Sequence, residues 1–292
     1  MLKAFEKTLP KYRRVTRLAS RFRTHSRNSS GQSQATTDDE EMQKFSQRAR
    51  RMWDMNGPDV PLHYLNELRV PLIRNALLNY PLEGQADCHT PKPLKGYSIL
   101  DVGCGAGILT EPLARLGASV TGVDPVEENI IVAREHAAED PSLSDTLQYE
   151  CCTVEDVASR SHQFDVVVAS EVLEHVSHLD VFVSQLCATV KPGGYGVFTT
   201  INRTLFSYIT AILLAEYVAR LLPVGTHQWE KFITPSELEK LLKGNGFSVI
   251  FQRDTWYNPL LGRWSWCSCS GVGYAMVASK PPLVDGDDNI SE

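Results

Sequence analysis

Short apolar runs recur along the chain at 98–102, 119–123, 147–151, 165–169 and 196–200, separated by stretches with helical spacing, and two more follow at 247–252 and 272–279. Strand and helix patterns in alternation predict a parallel sheet covered on both faces, with ligands bound at the C-terminal ends of its strands. The last two runs are joined without a helical pattern, which predicts a final antiparallel pair at the sheet edge. Ahead of the sheet, Phe45, Ala49, Met52 and Trp53 fall at roughly helical spacing and predict a helix over 42–55. A second helix is expected over 61–78, after the Gly57-Pro58 break. Residues 81–97, with Pro81, Gly84, Pro91, Pro93 and Gly96, read as a linker into the first strand.

That strand, Ile99-Leu-Asp-Val102, runs straight into Gly103-Cys-Gly105-Ala-Gly107 and a further helical pattern. Alternating glycines let the backbone bend sharply and approach a ligand closely, while the N–H groups of the following helix face it. The second strand ends in Asp124, where an acidic side chain can accept the hydroxyls of a ribose. A dinucleotide fingerprint needs its third glycine at position 108, and Ile108 stands there, which argues against a nicotinamide-dependent oxidoreductase. Cys104, between two glycines, reads as packing.

After the fourth strand, Ser170-Glu-Val-Leu-Glu-His175 places Glu171, Glu174 and His175 at i, i+3 and i+4. They share one face if the segment winds into a helix at once. Two carboxylates and an imidazole there can bind a divalent cation, which would hold two neighbouring oxygens of a substrate. Acids in a first helical turn are also stabilised by the helix dipole alone, so both readings stand on spacing.

Asp-Val-Gly-Cys-Gly-Ala-Gly, followed by Phe164-Asp-Val-Val-Val-Ala169 and Val190-Lys-Pro-Gly-Gly-Tyr-Gly-Val-Phe198, resembles the class I S-adenosylmethionine-dependent methyltransferases. More specific are Glu171-Val-Leu-Glu-His-Val176, Pro61-Leu-His-Tyr-Leu-Asn-Glu-Leu-Arg69, Asn202-Arg203 and Gly225-Thr-His-Gln-Trp-Glu-Lys-Phe232. With these, residues 42–280 resemble the mitochondrial O-methyltransferases of ubiquinone biosynthesis. The resemblance implies an α/β, seven-stranded Rossmann-like fold, mostly parallel, with a C-terminal antiparallel strand and an N-terminal helical extension. Arg69, Gly103, Asp124 and Ser170 then match the family's S-adenosylmethionine positions, beside Gly105 of the loop. Glu171, Glu174 and His175 match its metal site, for Mg²⁺ or, since imidazole suits them better, Zn²⁺ or Mn²⁺. The implied reaction is methylation of phenolic hydroxyls on polyprenylated catechol or demethylubiquinol intermediates. Arg69 would pair with the carboxylate of the methionyl tail, where without the resemblance it reads as a surface charge. Besides His175, His227 is a candidate catalytic base, or a buried or capping histidine. Another small phenolic substrate, or a non-catalytic methyltransferase-like subunit, are the rival readings.

Composition adds location. The chain has 292 residues, 42% hydrophobic, enough for one sizeable domain with appendages. Seven cysteines without paired CxxC spacing suit a reduced compartment. Residues 1–37 carry nine Lys or Arg against Glu6 alone, in a chain whose net charge is −6. An Arg-rich, Ser-rich, acid-poor start of this kind predicts a mitochondrial transit peptide, removed near residue 38, and nucleic-acid binding is not expected. The expected organisation is the transit peptide over 1–37, a helical cap and linker over 38–97, the methyltransferase domain over 98–280 with an insertion at 202–228, and an acidic tail over 281–292. Within the insertion, 204–222 is apolar around most of a helix but too short and interrupted to span a bilayer. It reads as a helix lying in a membrane interface or as a lid or core helix. The resemblance further implies the matrix side of the inner membrane and an assembly with other ubiquinone-biosynthesis proteins.

Overall fold

The structure, a computed structural model, describes residues 36–79, 90–204, 207, 229–258, 261–268 and 272–283. Contacts divide the chain into two units, Met1–Ser33 and Gln34–Glu292, and all described residues belong to the second. An eight-stranded sheet runs through it in the order β3-β2-β1-β4-β5-β8-β6-β7. Five parallel strands come first: β1 (Ser98–Val102), β2 (Ser119–Asp124), β3 (Leu147–Cys151), β4 (Phe164–Ser170) and β5 (Val190–Ile201). Helices α3 (Thr110–Arg115), α4 (Glu127–Ala137), α5 (Val154–Ser159) and α6 (Leu179–Ala188) separate them, and α7 (Pro235–Gly244) leads to β6 (Ser248–Asn258).

Two expectations are corrected. The sheet has eight strands, because Arg263–Cys267 forms β7, an antiparallel partner of β6 that carries Trp264 and Trp266. The final antiparallel pair does not lie at the edge either: β8 (Gly273–Ser279) inserts between β5 and β6, antiparallel to both. The physical reason is in its side chains. From Gly273 to Ala278 every residue is buried, which only a strand covered on both faces allows, whereas the residues of β6 and β7 are, but for Thr255, half-buried or exposed.

Alternate residues of the central strands feed two cores. Leu100, Val102, Val167 and Ala169 join a cluster with Phe182, Leu186, Leu238 and Leu242, while Ile99, Val166 and Val168 join one with Ile73, Leu77 and Leu113. Because β1 hands the chain to β2 on one side and pairs with β4 on the other, the strand order reverses there, and a crevice opens beyond their C-terminal ends.

The cap reaches that crevice. Helix α1 spans Asp39–Arg48, N-capped by Asp38, and a 3-10 turn, Ala49–Arg51, ends it short of the expected Met55. Helix α2 covers Val60–Asn79. Met52, Ala49, Ile108 and Ala106 form a small cluster, and Trp53 Nε1 donates to Ala106 O at 2.9 Å, so the cap sits on the glycine loop. Thr36, inside the segment expected to be removed, is buried, and Ser177 N donates to its carbonyl at 2.9 Å. The body of the fold therefore includes residues ahead of 38. The insertion at 202–228 is described only at 202–204 and 207, so the apolar segment 204–222, apart from Thr204 and Ser207, and His227 lie outside the described residues. Among the described residues no helix is long and apolar enough to cross a membrane.

Candidate active site

The crevice is a cleft, lined at one end by Gly103, Gly105, Asp124, Val126 and Asn129 and at the other by Glu41, Phe45, Glu171 and His175. Its first end is built by the glycine loop. Gly103, Gly105 and Gly107 have φ of 69°, 55° and 88°, in the left-handed region. Space is as restrictive as conformation: a Cβ on Gly103 would lie 2.4 Å from Val172 Cγ2, and one on Gly107 2.1 Å from Tyr149 Oη. The turn holds Gly105 N–H on Asp124 Oδ2 at 2.9 Å, while Asp124 Oδ1 accepts from Val126 N–H at 2.9 Å and Asn129 Nδ2 at 3.1 Å. Burial pushes the Asp124 carboxyl up, and those three donors oppose it. Asn129, which sequence reasoning missed, keeps Oδ1 buried with no partner at the cleft wall. An unpartnered buried acceptor beside a hydrogen-bonded carboxylate fits a ligand with neighbouring hydroxyls, as a ribose has. The cradle thus fits a nucleoside. Cys104 is buried and its thiol is pushed well up by burial, in keeping with packing and not nucleophilic chemistry.

Arg69 of α2 enters the cleft wall from above and is no surface charge, with 5% of its surface exposed. It donates to Asn66 Oδ1 at 2.6 Å, Ser170 Oγ at 2.9 Å and Leu62 O at 3.1 Å. Burial lowers its basicity to about 10, against the pull of Asp101 and Glu171, so it stays protonated near neutrality. Asp101, overlooked in the sequence although it sits inside the glycine motif, is buried and accepts from Thr110 Oγ1 at 2.7 Å; burial pushes its carboxyl up to about 6.

The acid trio differs from expectation. Glu171 does not begin a helix: its φ is 59°, and its N–H donates to Thr199 O at 2.9 Å, continuing the β4–β5 ladder. Only a 3-10 turn, Leu173–His175, follows. Glu171 and Glu174 are therefore held by neighbouring threonines of β5: Thr199 Oγ1 donates to Glu171 Oε1 at 2.8 Å and Thr200 Oγ1 to Glu174 Oε2 at 2.8 Å. Glu174 is buried, and burial together with the charge of Glu171 pushes its carboxyl far above the usual range, to about 8. His175 turns toward the cap, its Nδ1 2.9 Å from Glu41 Oε2 and its ring edge-on to Phe45. Burial pushes the Glu41 carboxyl up, but hydrogen bonds from His175 and Lys44 outweigh it and hold the group at about 2. Ionised Glu41 can only accept, so His175 Nδ1 carries a proton toward it. Among the described residues no three His, Cys, Asp or Glu side chains converge as a metal centre. The spacing i, i+3, i+4 thus places the three residues at one rim without making one face of them. What fits a cation is the pair of carboxylates, whose mutual repulsion a divalent ion would relieve. Neither Glu41 nor the two threonines was legible beforehand; the signal available was only that Thr199-Thr200 closes a strand at the ligand-binding rim.

A family model described as "Methyltransferase domain" matches residues 66–252. The chain is 47% identical over 249 residues to the mitochondrial ubiquinone biosynthesis O-methyltransferase of Mus musculus, covering 85% of this chain and 66% of that protein. It thus spans just under two thirds of that relative's length. With the ubiquinone biosynthesis O-methyltransferase of Methylobacterium nodulans it shares 45% over 244 residues, covering 84% of this chain and 96% of the other. Among solved structures, magnesium protoporphyrin IX methyltransferase from Synechocystis PCC 6803 with bound S-adenosylmethionine superposes with a TM-score of 0.54 at 16% identity, over 85% of this chain and all of that one. The N-methyltransferase NodS from Bradyrhizobium japonicum gives 0.53 at 15%, over 82% and 98%. Those two likenesses are of fold: a Rossmann-like class I methyltransferase sheet.

Proposed function

We propose that the chain, which belongs to the ubiquinone biosynthesis O-methyltransferase family, is an S-adenosylmethionine-dependent O-methyltransferase whose acceptor is a polyprenylated catechol or demethylubiquinol, methylated on a phenolic hydroxyl. The observation that carries this reading is one continuous cleft with a hydroxyl-binding acid, Asp124, at one end and the Glu41–His175 pair at the other. Phe45, Met42, Val172, Val176 and Phe182 line the second end and suit the apolar part of such an acceptor.

The cofactor supplies a methyl group on a positively charged sulfur, and that charge is lost together with the phenolate's as the bond forms. The protein's part is alignment and deprotonation. Asp124 and Asn129 bind the ribose, the glycine loop lets the backbone close on it, and Arg69 with Ser170 engages the methionyl tail. Fixing two reactants in line is the larger contribution, with effective molarities of ~10⁵ M or more for well-aligned pairs. His175 Nε2 takes the phenolic proton, its ring oriented by Glu41 through Nδ1, an arrangement of the base-and-orienter kind. Mg²⁺, with Zn²⁺ or Mn²⁺ as alternatives, would be held by Glu171 and Glu174, and by His175 wherever its lone pair is not spent on the proton; when bound it would draw both oxygens of a catechol and favour the phenolate. The working place proposed is the mitochondrion, on the matrix side of the inner membrane, among other ubiquinone-biosynthesis proteins, with 204–222 as the membrane-associating segment; the mitochondrial names of its animal relatives support the compartment. Incubating purified protein with labelled S-adenosylmethionine and a prenylated catechol tests the reading: a methylated phenol is expected, and transfer only to unprenylated or nitrogen acceptors would overturn it.

Two predictions bear on the binding groups. Arg69→Lys keeps the charge but loses the guanidinium fork, and cofactor affinity by calorimetry should fall about tenfold, ~1.4 kcal/mol. Unchanged affinity would remove Arg69 from the site. The second concerns Glu174. An unfolded chain loses this proton near 4.5, the folded one near 8, so folded protein binds more protons across that window. Stability of the metal-free protein is accordingly undiminished by this group below about 4.5, falls as pH rises through the window, and is lowest above about 8. Thermal unfolding in chelator should show Glu174→Gln flattening that decline, and Mg²⁺ should raise the parent's midpoint most at the alkaline end. Parallel profiles for the two proteins would contradict the shift, and a parent midpoint that Mg²⁺ leaves unmoved would contradict the cation.

A further inference from the structure

Four side chains run in line from the cofactor end of the cleft to its acid end. Arg69 Nη1 donates to Ser170 Oγ at 2.9 Å, Ser170 Oγ and Thr199 Oγ1 lie 2.6 Å apart, and Thr199 Oγ1 donates to Glu171 Oε1 at 2.8 Å. The sheet makes this line: Ser170 and Thr199 are register partners on adjacent parallel strands, and the ladder continues through the Glu171 N–H to Thr199 O. Proton inventory gives it a direction. A guanidinium only donates, an ionised carboxylate only accepts, and each hydroxyl has a single proton. Ser170 therefore accepts from Arg69 and donates to Thr199, which donates to Glu171. Ser170 and Thr199 are 9% and 5% exposed, so water is a poor substitute for either partner. With a cation at one end and an anion at the other, both terminal bonds are charge-assisted.

We propose that Thr199 is a positioning residue that couples the cofactor site to Glu171. Its one hydroxyl orders Ser170 and, at the same time, holds the Glu171 carboxylate, so a carboxylate ligand drawing on Arg69 changes the hydrogen bonding that reaches Glu171. Coupling of this kind runs both ways, so a change at Glu171 alters the affinity for a carboxylate at Arg69. The inference rests on the proposed function only in taking Arg69 and Ser170 as contacts of the cofactor's tail.

The test is a double-mutant cycle read by calorimetric titration of S-adenosylhomocysteine into metal-free protein: parent, Glu171→Gln, Thr199→Val and the double variant. Glu171→Gln is expected to shift affinity by about fivefold with Thr199 present and to leave it unchanged, within about 1.5-fold, in the Thr199→Val background. Thr199→Ser should restore the fivefold response, which a packing role would not require. Valine matches threonine in shape, and Thr199→Ala serves as a second hydroxyl-free background if thermal unfolding shows that valine is not accommodated. A shift of equal size in both backgrounds, or none with Thr199 present, overturns the proposal. The cycle needs neither turnover nor a cation. Parent-level turnover in Glu171→Gln would sink the proposed acid-site role of Glu171 and leave the cycle to decide Thr199 on its own.

Discussion

Asp124→Ala should weaken S-adenosylmethionine binding by about 10²-fold or more, because it removes an acceptor on which the whole nucleoside end is organised. The carboxylate takes hydrogen bonds from Gly105 N–H, Val126 N–H and the Asn129 amide, and it is 6% exposed. Alanine leaves those donors without their partner and also deletes the acceptor proposed for the ribose hydroxyls. A hydrogen bond to a charged group is worth about 1.5–3 kcal/mol, so one such bond to the ligand plus disorder in the loop amounts to ~3 kcal/mol, or two orders of magnitude in affinity. Asp124→Asn keeps one acceptor and should lose less. Calorimetry on folded protein checks this, and an affinity within threefold of the parent would show that the ribose sits elsewhere.

Glu171→Gln should lower turnover of a catechol acceptor by about 10²-fold or more, the range that proton transfer and Lewis-acid assistance supply, while cofactor affinity moves by no more than about tenfold. The amide keeps the size and the Thr199 hydrogen bond but cannot share a divalent cation with Glu174. It also removes the negative charge that helps push the Glu174 carboxyl up, so Glu174 should ionise at lower pH in this variant. Steady-state kinetics with Mg²⁺ and with chelator separate the two contributions. If the variant turns over at the parent rate in both, neither carboxylate serves the reaction through a metal.

The glycine loop and Asp124 could be read from the chain because their constraint is local. Positive φ and lack of room for a Cβ select glycine one residue at a time, and the next strand carries the acid at a fixed remove. The acid trio was legible as residues and not as geometry. Helical spacing presumes that a helix starts, but the Glu171 N–H is spent on the Thr199 carbonyl of the neighbouring strand, so only a 3-10 turn follows. Glu41 is 134 residues from His175 in sequence and meets it only because the cap folds back over the crevice. No periodicity reports such a contact.

The order of the sheet divides the same way. From the amino-acid sequence alone came the alternation of strands and helices, the parallel core of five strands, the glycine turn after β1 and the placing of Glu171, Glu174 and His175 just beyond β4. Each of these follows from spacing within a segment of a few to some tens of residues. Tertiary structure alone decided that β8 lies inside the sheet, that Arg69 is buried at the cleft and that Thr199 joins it to Glu171. Those outcomes depend on which surfaces meet when distant segments pack, and the free energy that selects among such meetings belongs to the whole fold and to no one stretch of chain.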